Sequence, residues 1–270
     1  MKKEYAQYVK AITLAIIITV FTAANAFAYK RVVVLYAAIS PILVELGVGD
    51  KVVGVTRTDN IFTDAVKLGS HLKPNIELIN ALEPDLILTG SKRTFNEDMV
   101  TLTKAKIIYY DPATLDEIIQ QITELGELFN KRTEAKKVVA RLEDILKEVA
   151  PLTKKPTMVY EISAKPLRVA GSKSIITSII EAAGGENIIT VEKKHVLLSP
   201  EVILKSNPDY YIYQTGPMNK NPVPPEKREV FSILKSNIIH IDEYEFARPG
   251  INAFDAVLKL NKIFKGGSDE

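Results

Sequence analysis

The segment Arg31-Val-Val-Val-Leu35 is apolar and β-branched throughout its interior, which suits a strand buried on both faces of a parallel sheet. It runs into Ser40-Pro41 and an apolar stretch closed by Gly47, with proline in the first helical turn and glycine as the stop. The same order recurs, with strands predicted over 52–55, 85–88 and 107–110 and a helix over 74–82. Parallel strands need long crossover connections, so this alternation restricts the chain to α/β architecture: a mostly parallel sheet with helices on its faces.

From Thr114 the period changes. Leu115, Ile118, Ile119, Ile122 and Leu125, then Val138, Val139, Leu142, Ile145, Leu146 and Val149, recur at helical spacing with no strand signal between them. Gly126 and Asn130 are expected to divide this stretch, leaving a second helix from about Lys131 to Val149 that Pro151 and Pro156 stop. A second α/β half follows, with strands over 157–160, 167–170, 210–213 and 238–241 and helices over 175–183 and 200–206. Two Rossmann-like lobes with mainly parallel sheets, joined by one long backbone helix, are therefore expected: 29–130, the connecting helix 131–150, and 151–270. No Gly/Ser-rich linker separates them, so the joint is expected to be stiff.

Composition narrows the chemistry. The 270 residues contain no cysteine, which removes disulfides, thiolate metal sites and cysteine nucleophiles, and only three histidines. The net charge of +2 is carried by Lys2, Lys3 and Lys10 against Glu4, so no basic nucleic-acid surface is expected. Those lysines precede an apolar run from Ala11 that ends in Ala26-Phe27-Ala28, the form of a secretory signal peptide over 1–28 cleaved after Ala28, which places the remainder in the periplasm. The alternative is a retained anchor, since 11–28 reaches the roughly 18-residue lower limit of a bilayer span.

Four blocks, in order and spacing, carry a resemblance: Arg31 to Leu35 through Leu46-Gly-Val-Gly-Asp-Lys-Val-Val-Gly-Val-Thr56; Pro74-Asn-Ile-Glu77 through Leu82-Glu-Pro-Asp-Leu-Ile-Leu88; Ala182-Ala-Gly-Gly-Glu-Asn187; and Ser199-Pro-Glu-Val-Ile-Leu204 with Asn207-Pro-Asp209. Across 31–264 the chain resembles the helical-backbone substrate-binding proteins of ABC importers, the group of cobalamin, haem and ferric-siderophore binders. The resemblance implies an extracytoplasmic receptor, not an enzyme. It would capture a metal chelate or corrinoid in a cleft between the lobes and deliver it to an ABC permease dimer with its ATPase. It would act as a monomer without a cofactor. Ala37-Ala38 departs from relatives that carry Pro-Ser there.

In open parallel sheets ligands lie at the carboxyl ends of strands, so the loops there are expected to line the cleft. They are 36–39, 56–59, 69–73 and 90–93 in the first half and 161–164, 171–174, 194–195, 214–218 and 246–250 in the second. Arg57, Arg93 and Arg248 fall in them, and a guanidinium fork suits carboxylate, catecholate or oxyanion groups; each could instead pair with an acid such as Asp59 or Glu245. Tyr36 and Tyr160 offer flat rings with a hydroxyl, or else pack beneath a loop. His71 and His195 are candidates to touch a larger ligand; two histidines without a clear carboxylate partner do not make a free-metal site, and Arg168 and His240 read as structural. Glu77 and Glu201 stand in the first turns of corresponding helices, where an acid interacts favourably with the helix dipole, and the resemblance implies that both face permease arginines.

Two other readings remain open here. The arginines also suit molybdate or tungstate, and an exported α/β enzyme is conceivable. Against the enzyme, the chain has no Gly-x-Ser-x-Gly elbow, Walker loop, Gly-x-Gly-x-x-Gly after a strand, or His-Glu-x-x-His.

Overall fold

The computed structural model describes residues 29–266. The leader over 1–28 and its cleavage after Ala28 lie outside the described residues, and no helix among these is long and apolar enough to cross a membrane.

The first lobe is built from β1 (Val32–Val34), α1 (Ser40–Glu45), β2 (Val52–Val55), β3 (Val66–Lys67), β4 (Gly69–Ser70), β5 (Lys73–Pro74), α2 (Ile76–Ala81), β6 (Leu86–Thr89), α3 (Glu97–Thr101) and β7 (Lys106–Tyr109). Its sheet runs β3-β2-β1-β6-β7 with every pairing parallel, and β4 and β5 form a separate small hairpin. Val32, Val34, Leu86 and Leu88 point into one core and Val33, Leu35 and Ile87 into another, so both faces are covered as all-apolar strands require.

Two helices follow, α4 (Leu115–Leu128) and α5 (Arg132–Lys147). Asn130, with φ of 56°, makes the break between them, whereas Gly126 lies inside α4. A Cβ at Gly126 would overlap the Ala135 methyl, so glycine there lets the two helices approach closely.

The second lobe comprises β8 (Thr157–Ala164), β9 (Leu167–Ala170), α6 (Ile175–Ala182), β10 (Glu186–Asn187), β11 (His195–Leu197), α7 (Pro200–Ser206), β12 (Tyr210–Thr215), β13 (Asn237–Asp242), α8 (Glu243–Phe246) and α9 (Asn252–Phe264). The sheet order is β11-β9-β8-β12-β13, with β10 also on β8. β8, β10, β12 and β13 are parallel, while β9 is antiparallel to both β8 and β11. α9, which the periodicity reading did not single out, packs on α5 and α6, and one apolar core runs from β1 through α4 and α5 to β8 and β12.

Local chemistry explains the departures from expectation. Ser40 does not cap α1; its hydroxyl is given to the Asp59 carboxylate, and Ile39 occupies the cap position. Pro74 belongs to β5, and α2 starts later because the Asn75 side chain accepts from Leu78 N at 3.0 Å. Residues 161–164 continue β8 as strand, and His195 opens β11 instead of lying in a loop.

The lobes also share a brace. Glu83 and Asn207 take left-handed φ values of 46° and 41°, and each precedes a Pro-Asp pair that opens a strand. Asp85 accepts from the backbone N–H groups of Lys30 and Arg31 at 2.7 and 3.0 Å, just before β1. Asp209 accepts from Thr157 N and Oγ1 at 2.8 and 3.0 Å, at the start of β8. Each carboxylate thereby ties the first strand of its lobe to the strand it immediately precedes, β6 or β12.

Candidate ligand-binding cleft

The end of β7 and the start of α4 meet second-lobe residues at a small set of contacts. Tyr110, following β7, donates its hydroxyl to the Pro249 carbonyl at 2.8 Å, and beside it the Asp111 carboxylate pairs with the Lys194 ammonium. Leu115 N, at the start of α4, donates to Ser178 Oγ of α6 at 3.1 Å. These bonds tie the two lobes together.

Tyr36 leaves the end of β1 half-buried, with the His71 and Tyr110 rings each 6.3 Å away between centroids. Its hydroxyl has no hydrogen-bond partner among the described residues, and burial first, then the nearby Asp111 charge, raise its pKa. Arg248, from the second lobe, lies over the Tyr244 ring with its guanidinium carbon 3.9 Å from the centroid. Its charge reaches both Tyr36 and His71. Desolvation by the surrounding walls, and then Arg248, hold the His71 imidazole below its ordinary pKa, so the ring is neutral at pH 7 although part of it is open to solvent. A neutral imidazole keeps a lone pair for a metal in a chelate, and a guanidinium beside it takes an anionic arm.

A second group lies at Arg93, His195, Lys194 and Arg168. Desolvation, then Lys194, Arg168 and Arg93, lower the His195 pKa, which puts an exposed first-lobe arginine within electrostatic reach of a second-lobe histidine. Arg57 is exposed at the end of β2 and its backbone N–H is given to Gly69 O at 2.8 Å. The acids that could have tied up the arginines are engaged elsewhere: Asp59 accepts from Ser40, Ile61 and Phe62, and Glu245 pairs with Lys259.

Tyr160 must be corrected. Its ring is 1% exposed and its hydroxyl donates to Gln214 Oε1 at 2.8 Å, so it lies under the cleft floor and presents nothing to a ligand. Gln214 in turn donates to Ile162 O at 3.1 Å and to Glu243 Oε2 at 3.2 Å, and the same carboxylate oxygen accepts from Met218 N at 2.8 Å. Burial raises the Glu243 pKa, opposed by the Met218 hydrogen bond. Sequence reasoning did not single out Glu243, because nothing local marks it. Asp111 was more accessible, since it directly follows the 107–110 strand. Glu77 and Glu201 are exposed in the first turns of α2 and α7 and belong to no ion pair among the described residues.

Residues 32–226 match the profile of the periplasmic binding protein family. The chain belongs to this family. It is 26% identical over 224 residues, 76% of each chain, to the high-affinity heme uptake system protein IsdE of Staphylococcus aureus. The crystal structure of S. aureus IsdE complexed with heme superimposes with a TM-score of 0.73 at 23% identity, covering 87% of this chain and 98% of that one. The periplasmic vitamin B12 binding protein BtuF of Vibrio cholerae gives 0.72 at 21% identity over 88% and 99%. These periplasmic binding proteins share the two-lobe α/β fold with a cleft between the lobes; in this chain Tyr36 follows β1, His71 lies in the turn between β4 and β5, and Arg248 follows α8.

Proposed function

We propose that this protein is the extracytoplasmic substrate-binding component of an ABC importer and that it captures a planar or macrocyclic metal chelate, with haem favoured over siderophore or cobalamin. The observation that carries the reading is the convergence, from opposite lobes, of the Tyr36 hydroxyl, which has no partner among the described residues, a neutral His71 and Arg248. A haem offers an iron that accepts an imidazole, a flat face for Tyr36, and carboxylates for arginine. Membership of the family and the likeness to a haem uptake protein support the same ligand class.

The test is titration of residues 29–270 with haemin, cobalamin, ferric siderophores and molybdate, followed by absorption and native mass spectrometry. A one-to-one haemin complex whose Soret band shifts in His71→Ala is expected. Saturable binding of molybdate alone would reject the chelate reading. Arg57→Ala combined with Arg248→Ala is expected to weaken binding by about 10- to 100-fold, the contribution of one or two charge-assisted hydrogen bonds, with little change in melting temperature.

Delivery is assigned to Glu77 and Glu201. Their exposure, matched positions and lack of ion pairs among the described residues fit a surface that meets basic groups on a permease. Charge reversal at both should leave chelate binding intact and stop uptake in cells; normal uptake by that variant would remove the docking role.

A further inference from the structure

Arg248 belongs to the short turn 247–250 that joins α8 to α9, and much of that turn is fastened from within the second lobe. Asn252 Nδ2 donates to the carbonyls of Tyr244, Glu245 and Arg248 at 3.2, 2.8 and 3.3 Å, and the Gly250 N–H is given to Arg248 O at 2.9 Å. Pro249 disfavours helical geometry at Arg248, in keeping with α8 ending at Phe246.

The remaining hold comes from the first lobe. Tyr110, 2% exposed at the end of β7, donates its hydroxyl to Pro249 O at 2.8 Å, one residue beyond Arg248. No other donor among the described residues reaches that buried carbonyl. Gly250 lies so close to the loop after β1 that a Cβ there would stand 3.0 Å from Ala38 O, and glycine is what lets the two backbones meet.

The guanidinium itself is held loosely. It stacks on the exposed Tyr244 ring and has no ion pair among the described residues, while its charge acts on Tyr36 and His71 of the first lobe. With no acid to fix it, the side chain is placed by its own backbone and by the ring beneath it. That backbone is anchored on one side by its own lobe and, one residue later, by the lobe that carries Tyr36 and His71.

We propose that Tyr110 is a positioning residue for Arg248: by holding the Pro249 carbonyl it sets the spacing between the guanidinium and the first-lobe groups, and so selects a chelate with an anionic arm at that spacing. The inference rests on the reading of Arg248 as a ligand group.

The experiment uses residues 29–270 and the variant Tyr110→Phe, which keeps the ring beside Tyr36 and deletes only the hydroxyl. Its first readout needs no ligand. In the wild type the Tyr244 ring displaces the NMR signals of the Arg248 δ-methylene and Nε–H, and Tyr110→Phe is expected to move both toward the positions of an unstacked arginine. The second readout is affinity for haemin and for haemin dimethyl ester, which has the same iron and ring without the anionic arms. Tyr110→Phe is expected to weaken haemin about 10-fold, the size of one charge-assisted hydrogen bond, and to leave the ester unchanged. In an Arg248→Ala background it should cost nothing further, whereas a merely structural role would weaken both ligands alike. Gly250→Ala, which presses on Ala38 O, is expected to move the same Arg248 signals and tests the anchor independently of the folding of Tyr110→Phe. Unmoved Arg248 signals in Tyr110→Phe, or a haemin affinity that falls no further than that of the ester, overturns the proposal. A wild type that binds neither porphyrin removes the chelate reading, while the Arg248 signals still decide whether Tyr110 places the guanidinium.

Discussion

The two lobes solve one topological problem with different interiors. In the first, β1 and β6 are apolar on both faces, and the buried polar groups are few and local: Ser40 with Asp59, and Thr56 and Thr89 at strand ends. The second buries a connected polar network. Glu161, wholly inaccessible in β8, accepts two bonds from the Arg228 guanidinium, one from Nη2 at 2.9 Å, together with the Tyr211 hydroxyl, and Asn219 Nδ2 lies 3.4 Å from it. The reason is the connection from β12 to β13. In the first lobe the strand-to-strand paths are short or helical, whereas 216–236 carries only short 3₁₀ turns, and an irregular segment has to be fastened by side chains. The Arg228 Nε–H also holds Val223 O at 2.7 Å, so one arginine anchors the 216–236 connection to the sheet.

The sharpest way to break this contrast is Glu161→Ala. Removing one member of a buried ion pair strands the other charge, and a loss of about 3–5 kcal/mol is expected from urea unfolding. Replacing Glu161 and Arg228 together by Met should recover most of that loss. If the double variant is as unstable as the single, the network does more than satisfy its own charges and the comparison needs another cause.

The matching probe of the first lobe is Ile87→Ala. Ile87 is inaccessible at the centre of the all-parallel sheet, and an apolar cavity there should cost about 3 kcal/mol. Hydrogen exchange should quicken first in β1, β6 and β7. Equal quickening in β8 and β12 would show that the continuous core makes one cooperative unit of the two lobes, and the distinction between their interiors would lose its consequence for stability.

Tyr160→Phe is a smaller effect and separates floor from wall. It removes the hydroxyl bonded to Gln214 and should cost about 1 kcal/mol, leaving haemin affinity unchanged. Tyr36→Phe should do the reverse, weakening the ligand with little effect on unfolding. A Tyr160→Phe protein of unchanged stability but weaker binding would return Tyr160 to the ligand site.

These pairs also show where sequence reading succeeds. The strands 52–55 and 167–170 and the helix 200–206 are legible to the residue because apolar periodicity and Pro or Gly punctuation are local signals. Tyr36 and Tyr160 look alike in sequence, each a tyrosine ending an apolar run. What separates them is Gln214, which is 54 positions from Tyr160 and takes its hydroxyl. Arg228 and Glu161 are 67 positions apart, and no spacing rule joins them. The strand-end loops are readable locally, whereas the burial of Tyr160 and Glu161 depends on partners that only the folded chain brings together.

The smallest expected effect concerns what the lobes share. Asp85 and Asp209 perform the same bracing, but Asp209 gathers more partners: Thr157 N, Thr157 Oγ1, and Lys154 Nζ at 3.1 Å. The Thr157 N–H first, and then Lys154, hold the Asp209 carboxyl below its ordinary value of 3.8. A carboxyl depressed in the folded state stabilises the protein fully above its unfolded pKa, and that contribution is lost as pH falls through the lowered folded value. Asp209→Asn should therefore cost about 1 kcal/mol at neutral pH and almost nothing at the acid end, which flattens the acid limb of the stability curve. Asp85→Asn, which weakens two backbone bonds at the edge of β1, should lower stability at neutral pH by a similar amount. Urea midpoints of both variants between pH 3 and pH 7 decide the matter. If Asp209→Asn follows the wild-type acid limb unchanged, the two braces are equivalent, and the second lobe's greater use of charge is confined to its buried network.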